Sequence, residues 1–302
     1  MKWLQTLFFF LFTGVVSTSF SQSLNDYRTI TSGNWTTISI WEVYNGVTWV
    51  PATTYPGQVA GTNDVTISNG ATVTINSTIS NTINSVTIGD RTGTPVIETL
   101  SITGTSSINT LEFNIAYDGL LRWDANVSLS LTANASLFIE NSNPDGLTLG
   151  TDHGIYINPA GCNVQKILYI GATRYTNCNG GGPNPKPLTF NEANNNGGNL
   201  GVTPTSNSPV CSGQTVNLFA NPSGTDAGSA SYTWTVTSSP VAYTFSSTNE
   251  NPTDSPTIVG NYIYEVTATS GTVSNTNTVS VEIISCNKRI ITNRRITYRV
   301  NK

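Results

Sequence analysis

The sequence predicts an all-β protein, a right-handed parallel β-helix (β-solenoid) followed by an immunoglobulin-like β-sandwich. Short apolar-polar-apolar triplets recur through the first half, and a differently spaced set of alternating strands follows residue 206. Helix-forming residues are sparse and β-branched residues are abundant, which argues against a helical bundle. Only 10% of the 302 residues are charged, against about 25% in ordinary soluble domains. Hydroxyl and amide groups must therefore supply most of the polar surface.

Residues 1–21 read as a secretory signal peptide. Lys2 supplies the positive charge, the segment 3–16 is apolar, and Ser19 and Ser21 place small residues before a cleavage point at Gln22. The apolar run is shorter than the roughly 20 residues that a transmembrane helix needs. We therefore expect an exported chain, with an uncleaved membrane anchor as the alternative.

Residues 22–190 are predicted to form the solenoid, because alternation with a period of two indicates strands with one buried face. Triplets recur at uneven spacings of about 20 residues, as coils of a stack would require. The centres of one series are Thr66, Thr87, Glu112 and Ser130, and those of the interleaved series are Thr74, Ser101 and Arg122. A sandwich of short strands is the competing architecture.

The start of this region concentrates three of the six tryptophans, Trp35, Trp41 and Trp49. Large rings there would cover the open end of a stacked core. The alternative is an aromatic platform on which sugar rings stack.

Residues 191–206 are rich in Asn, Gly, Pro and Ser and are predicted to be a linker. Residues 207–287 carry strands spaced for an antiparallel sandwich. Trp234 lies in mid-strand, and Tyr262 lies near a strand start, as in a tyrosine corner.

The four cysteines are expected to form disulfides if the chain is exported. Nearness along the chain pairs Cys162 with Cys178 and Cys211 with Cys286, and two other connectivities stay open. No CxxC pair is present, so a zinc ribbon or a dithiol redox site has no support.

Charge is distributed unevenly along the chain. Residues 22–287 carry 17 acidic and six basic side chains, whereas the predicted tail, residues 288–302, carries six basic side chains and no acid. An acidic body repels nucleic acid and anionic lipid, so neither is an expected partner. His153 is the single histidine, which nearly excludes His-dependent catalysis, and we expect it at the surface beside a turn.

Two groups of residues are candidates for chemistry. Asp118, Arg122 and Asp124 form the densest charged cluster, and a carboxylate set of this kind could act on polysaccharide. The alternative for Arg122 and Asp124 is a surface ion pair. Asn141, Asn143, Asp145 and Asp152 have the oxygen-donor spacing of a calcium loop, with an ordinary turn as the alternative. No other cofactor is expected.

Three parts of the chain carry family-like motifs. They are residues 32–35, 41–42, 45–46 and 48–52 near the start, 209–216, 232–234 and 260–262 in the second half, and 291–300 at the end. Together they resemble solenoid-type surface proteins of gliding-type Gram-negative bacteria, which carry PKD-like or immunoglobulin-like modules and basic tails. The resemblance implies export to the outer surface, by a type IX route, and adhesive or spacer duty, and it brings no catalytic residue.

These observations predict a secreted or cell-surface, non-catalytic protein, adhesin-like or structural, that binds glycan or a cell-surface protein through β-rich surfaces. The alternative is a polysaccharide lyase or hydrolase with an accessory sandwich. A third hypothesis makes the C-terminal region an export signal that the secretion machinery reads.

Overall fold

The computed structural model describes residues 22–92, 96–142, 144–157, 164–177 and 188–286. These residues are mostly β-strand, with one short α-helix, as the sequence predicts. The strands before the helix are β1 (Tyr27–Thr29), β2 (Gly33–Asn34), β3 (Trp41–Tyr44), β4 (Trp49–Pro51), β5 (Thr62–Ile67), β6 (Thr72–Ile75), β7 (Thr78–Ile88), β8 (Glu98–Ile102), β9 (Ser106–Ile115), β10 (Gly119–Trp123), β11 (Ser128–Leu131), β12 (Ser136–Ile139), β13 (Gly154–Ile157), β14 (Ile167–Ile170), β15 (Thr173–Thr176) and β16 (Leu188–Thr189).

The helix and the remaining strands make up the second half. They are α1 (Phe190–Asn196), β17 (Gly201–Val202), β18 (Thr205–Ser206), β19 (Val210–Cys211), β20 (Val216–Phe219), β21 (Pro222–Ser223), β22 (Ser231–Ser238), β23 (Ser246–Ser247), β24 (Thr253–Asp254), β25 (Gly260–Ser270) and β26 (Val273–Ile284). Single 3₁₀ turns cover Ile38–Ile40 and Ala227–Ser229.

Two sheets organise the first half, and the chain passes between them repeatedly. Sheet I has 11 strands, β1, β3–β5, β7, β9, β11, β12 and β14–β16, and sheet II has five, β2, β6, β8, β10 and β13. Every neighbouring pair in sheet II is parallel. Thr74 pairs with Ser101, and Ser101 pairs with Arg122, so the register of one predicted triplet series is confirmed.

In sheet I one long strand pairs with two later strands. The predicted register of the other triplet series was therefore partly wrong. Strand β9 pairs with β11 through its first half and with β12 through its second half. Thr66 and Thr87 are register partners, but Thr87 pairs with Asn114 rather than Glu112. Ser130 pairs with Ser107. A period of two fixes which side chains point inward but not which residues of a long strand are in register.

Inward-facing aliphatic rows form the core of the first half. Val73, Leu100 and Leu121 are register partners in sheet II, and each is fully buried. At the start of the stack Trp35 and Trp41 are also buried, with ring centroids 5.3 Å apart in an edge-to-face pair. The Trp41 indole N–H donates to Trp35 O at 2.8 Å. Both rings are therefore part of the core of the first half, and the capping role of Trp35, Trp41 and the partly exposed Trp49 stays a prediction.

The second half contains a three-stranded sheet (β18, β20, β24), a five-stranded sheet (β19, β26, β25, β22, β23) and the pair β17–β21. Trp234 is fully buried in the core that they share. The Tyr262 hydroxyl donates to Ile258 O at 3.0 Å, which is the predicted tyrosine-corner contact. The predicted Cys211–Cys286 disulfide is present, whereas Cys162 and Cys178 lie outside the described residues.

Residues 191–206 are not the exposed linker that their composition suggested. They contain most of α1 together with β17 and β18. Thr189 and Glu192 form a capping box that starts the helix. The buried Asn194 amide bonds both backbone groups of Ile155, at 2.8 and 3.0 Å. Asparagine side chains act here as backbone partners inside the structure, a role that composition does not reveal.

A polar seam joins the two halves. Asn275 on β26 is buried, accepts the Val202 N–H at 3.0 Å and donates to Ser136 Oγ at 3.2 Å. Glu112 Oε1 on β9 accepts the Thr276 N–H at 3.0 Å. The seam joins β26 to β9 and β12 of sheet I.

No helix among the described residues is long and apolar enough to cross a bilayer. The disulfide is consistent with an extracytoplasmic protein. The predicted signal peptide and the basic tail lie outside the described residues.

Candidate functional site

Three carboxylates from two connections between strands, β7–β8 and β9–β10, meet at one end of the sheet II strands. One oxygen of each of Asp90, Glu98 and Asp118 lies within 4.8 Å of the others. In the described part of the chain, this is the only group of three or more His, Cys, Asp or Glu side chains close enough to share an ion. We call it the carboxylate cluster.

Contact between the β7–β8 and β9–β10 connections brings these acids together. Asp90 follows β7, Glu98 begins β8 and Asp118 directly precedes β10. The Glu98 N–H donates to Asp118 O at 3.1 Å, which holds two of the turns together. Gly89 has a φ of +101° and lies against Asp118 Oδ1. A Cβ at this position would collide with the carboxylate, so the glycine allows Asp118 to lie over the turn.

The carboxylate cluster has more hydrogen-bond acceptor oxygens than the described residues have donors to satisfy. Asp90 accepts the backbone N–H of Asn69 at 3.0 Å and that of Thr92 at 2.9 Å, and Glu98 Oε1 accepts the Gly70 N–H at 2.8 Å. Glu98 Oε2 and both Asp118 oxygens are buried without a hydrogen-bond partner. Glu98 and Asp118 are each only 1% exposed, so water does not replace the missing donors over most of their surface.

Burial dominates the electrostatics of the cluster. It raises the pKa of Glu98 to about 7 and that of Asp118 to about 6, and the charge of Asp90 adds to both shifts. The backbone N–H groups of Asp118 and Arg91 offset part of the Asp118 shift, although neither meets hydrogen-bond geometry with the carboxylate. The nearby Arg91 guanidinium also lowers the Asp118 pKa. That guanidinium forms an ion pair with Glu140 at 2.8 Å, so a fourth acid shares its charge.

The structure does not bring Asp118, Arg122 and Asp124 together. Asp118 precedes β10 and Asp124 follows it, so they lie at opposite ends of the strand, about 20 Å apart at 3.3 Å per residue. Arg122 and Asp124 share a face, as expected, and form a partly exposed ion pair at 2.9 Å. Ser101 Oγ also donates to Asp124. Nearness in sequence therefore does not bring Asp118 and Asp124 together in space. Asp118 instead lies close to acids of the β7–β8 connection.

The predicted calcium loop is only partly described, because Asn143 lies outside the described residues. Asn141 is exposed, and Asp145 is half-buried. Asp152 Oδ2 accepts the Thr148 N–H at 3.1 Å, which closes a local turn. Asp152 therefore makes a local turn contact, and the calcium loop itself stays a prediction.

His153 was expected at the surface, and that prediction was wrong. Its side chain is 1% exposed, and neither ring nitrogen has a hydrogen-bond partner. Burial lowers its pKa, so the neutral imidazole is favoured. His153 forms an isolated β-bridge with Leu149, just before β13 begins. Its burial depends on tertiary packing, which an adjacent turn signal does not indicate.

Sequence reasoning missed the carboxylate cluster because it grouped acids by nearness. Asp90 follows the triplet ending at Ile88, and Asp118 follows the one ending at Ile115, its register partner. Two paired strands are thus each followed, within three residues, by an aspartate. That repeated placement is the sequence signal that could have revealed the carboxylate cluster. A scan against protein-family models and a search of curated proteins both returned no match to this chain.

Proposed function

We propose that the protein is an exported, non-catalytic surface protein, adhesin-like or structural, that binds glycan or a cell-surface protein. In this proposal the first half is a right-handed parallel β-helix and the second half is a PKD-like or immunoglobulin-like sandwich. The alternation of the chain between two sheets with parallel register supports the β-helix. The general right-handed preference of crossovers between parallel strands supports its hand.

One observation carries the binding proposal: an outward row that crosses all five strands of sheet II. Its members are register partners and offer amide, hydroxyl, guanidinium and phenol groups. They are Asn34, Thr74, Ser101, Arg122 and Tyr156. Neighbouring strands lie about 4.8 Å apart, so the row is a regular polar array about 19 Å long. All but Ser101 are partly exposed. Such an array suits an extended, hydroxyl-rich polymer.

An aromatic pair near the first strands supports glycan binding in a second place. Tyr44 and Trp49 are partly exposed, with ring centroids 5.5 Å apart. The Arg28 guanidinium lies 4.4 Å from the Trp49 ring centroid and also bonds Glu42 at 2.7 Å. A ring held by such contacts is preorganised for stacking on a sugar face.

The second half fits the role of a spacer. Its antiparallel strands share one core, the tyrosine corner fixes the start of β25, and the disulfide ties Cys211 to Cys286 across a separation of 75 residues. In this proposal the secretion machinery reads the basic tail. Deleting residues 288–302 should reduce surface display, and normal display of the shortened chain would contradict this part.

A polysaccharide array tests the binding proposal. We expect the purified chain to retain at least one glycan without releasing products from it. Tyr156→Ala and Arg122→Ala should each weaken retention about fivefold or more, the loss that one or two hydrogen bonds or stacking contacts produce. Ser130→Ala, on sheet I, is the control. Product release would favour the lyase or hydrolase alternative, and equal retention by all variants would exclude the sheet II row as the binding surface.

A further inference from the structure

The carboxylate cluster holds three buried acceptor oxygens for which the described part of the chain supplies no hydrogen-bond donor. They belong to Glu98, through Oε2, and to Asp118, through both carboxylate oxygens. We propose that Asp90, Glu98 and Asp118 bind one calcium ion, which links the turns that enter β8 and β10. This site differs from the calcium loop that the sequence suggested at residues 141–152.

Buried, uncompensated carboxylates carry a high free-energy cost. A buried carboxylate without a partner is strongly unfavourable, and like charges nearby increase the penalty. Asp118 is 1% exposed, and Glu98 and Asp90 lie beside it. Proteins retain such groups where a proton or a cation completes the site.

The distances between the cluster oxygens fit a calcium ion. Calcium binds oxygens at about 2.3–2.6 Å, so two oxygens on opposite sides of the ion lie about 4.6–5.2 Å apart. The three cluster oxygens lie within 4.8 Å of one another. An ion between them therefore needs no large movement of the turns.

The chemistry of the three ligands favours calcium over zinc and magnesium. All three side chains offer carboxylate oxygen, which suits a hard cation, whereas zinc sites normally include nitrogen or sulfur ligands. Magnesium requires near-ideal octahedral geometry and keeps several water molecules, which a site with two buried carboxylates accommodates poorly. The Gly70 N–H bonds Glu98 Oε1 and leaves Oε2 for the ion, and the backbone N–H groups of Asn69 and Thr92 fix the orientation of the Asp90 carboxylate.

Calorimetric titration and thermal unfolding of the full chain, stripped with EDTA, test the site. Calcium chloride should bind at one ion per chain. With a dissociation constant of about 0.1–1 mM, as in extracellular calcium modules, about 10 mM calcium should raise Tm by roughly 3–8 °C. Magnesium chloride at the same concentration should raise it less. Absence of calcium binding would overturn the proposal, and would indicate instead that the carboxyl groups share a proton.

Matched variants locate the ion. Asp118→Asn should remove the calcium-dependent gain in Tm, yet be at least as stable as the parent in EDTA, because it removes an uncompensated buried charge. Glu98→Gln should behave alike, and Asp90→Asn, at a half-buried position, is a third variant if the others fail to fold. Asp152→Asn is the control and should keep the full gain. If Asp152→Asn loses the gain, or if the cluster variants keep it, the ion does not bind at this cluster.

Discussion

Glu112 offers a direct test of the packing between the two halves. Its carboxylate accepts the Thr276 N–H from β26, and its register partners in sheet I are Ser85 and Ser136. Burial against β26 raises the Glu112 pKa to about 7, against 4.5 for an unperturbed glutamate. The Thr276 N–H and the Asn114 side chain lower the pKa in part, and the charge of Asp64 raises it.

The expected effect follows from linkage. Because the folded state holds this proton more tightly than the unfolded state, the contribution to stability is complete below about pH 4.5 and is lost as the pH rises through about 7. A pKa change of this size corresponds to about 3 kcal/mol. Solvent access to a half-buried carboxylate reduces the effect, so we expect about 1–3 kcal/mol. Glu112→Gln keeps the shape and an acceptor oxygen but does not titrate.

Urea unfolding of the parent and of Glu112→Gln at about pH 5 and about pH 8 measures this effect. The two proteins should have similar stability at the lower pH, and the variant should be more stable by about 1–3 kcal/mol at the higher pH. Glu282→Gln, at an exposed position on β26, should stay within about 0.5 kcal/mol of the parent at both pH values. The reasoning is refuted if Glu112→Gln is less stable than the parent at the higher pH, or if the difference between them does not change with pH.

Three further predictions concern the same framework. Asn275→Ala should lower the free energy of unfolding by about 1–3 kcal/mol, because it leaves the buried Val202 N–H without an acceptor; a smaller loss in urea unfolding would mean that the seam contributes little. Tyr262→Phe should cost about 1 kcal/mol through loss of the bond to Ile258 O, and an unchanged unfolding midpoint would argue against the tyrosine corner as a stabilising contact. Replacing Cys211 and Cys286 together by serine should cost at most about 4 kcal/mol, as the chain-entropy model gives for a separation of 75 residues; a thermal melt insensitive to both the substitution and reductant would contradict it.

The sequence was informative where a local pattern determines the structure. Alternation with a period of two identified the strands, and the spacing of Thr74, Ser101 and Arg122 gave the register of sheet II. Tyr262 and the Cys211–Cys286 pair were also predicted, because a strand start and two domain ends are local signals.

The rest depends on which distant segments stack, and composition does not reveal that. Residues 191–206 looked like a linker because Asn and Gly are common in loops, but Asn194 uses its side chain as a partner for a buried strand. Asp118 was grouped with Asp124, its neighbour in sequence, although its partners in space are Asp90 and Glu98 from earlier turns. The register of the long strands in sheet I, and the contacts between connections, are the information that the sequence alone lacked.

Distances between spin labels test the stacked arrangement on which the proposed function depends. Labels would replace Asn34 and Thr74, which are neighbours in sheet II, and, in a second protein, Asn34 and Tyr156, which lie four strand spacings apart. The unsubstituted chain controls for labelling of native cysteines. At about 4.8 Å per strand, the backbone separations should be about 5 Å and about 19 Å. Two results would contradict the parallel arrangement of sheet II. One is an Asn34–Tyr156 distance beyond about 30 Å, and the other is an Asn34–Tyr156 distance no longer than the Asn34–Thr74 distance.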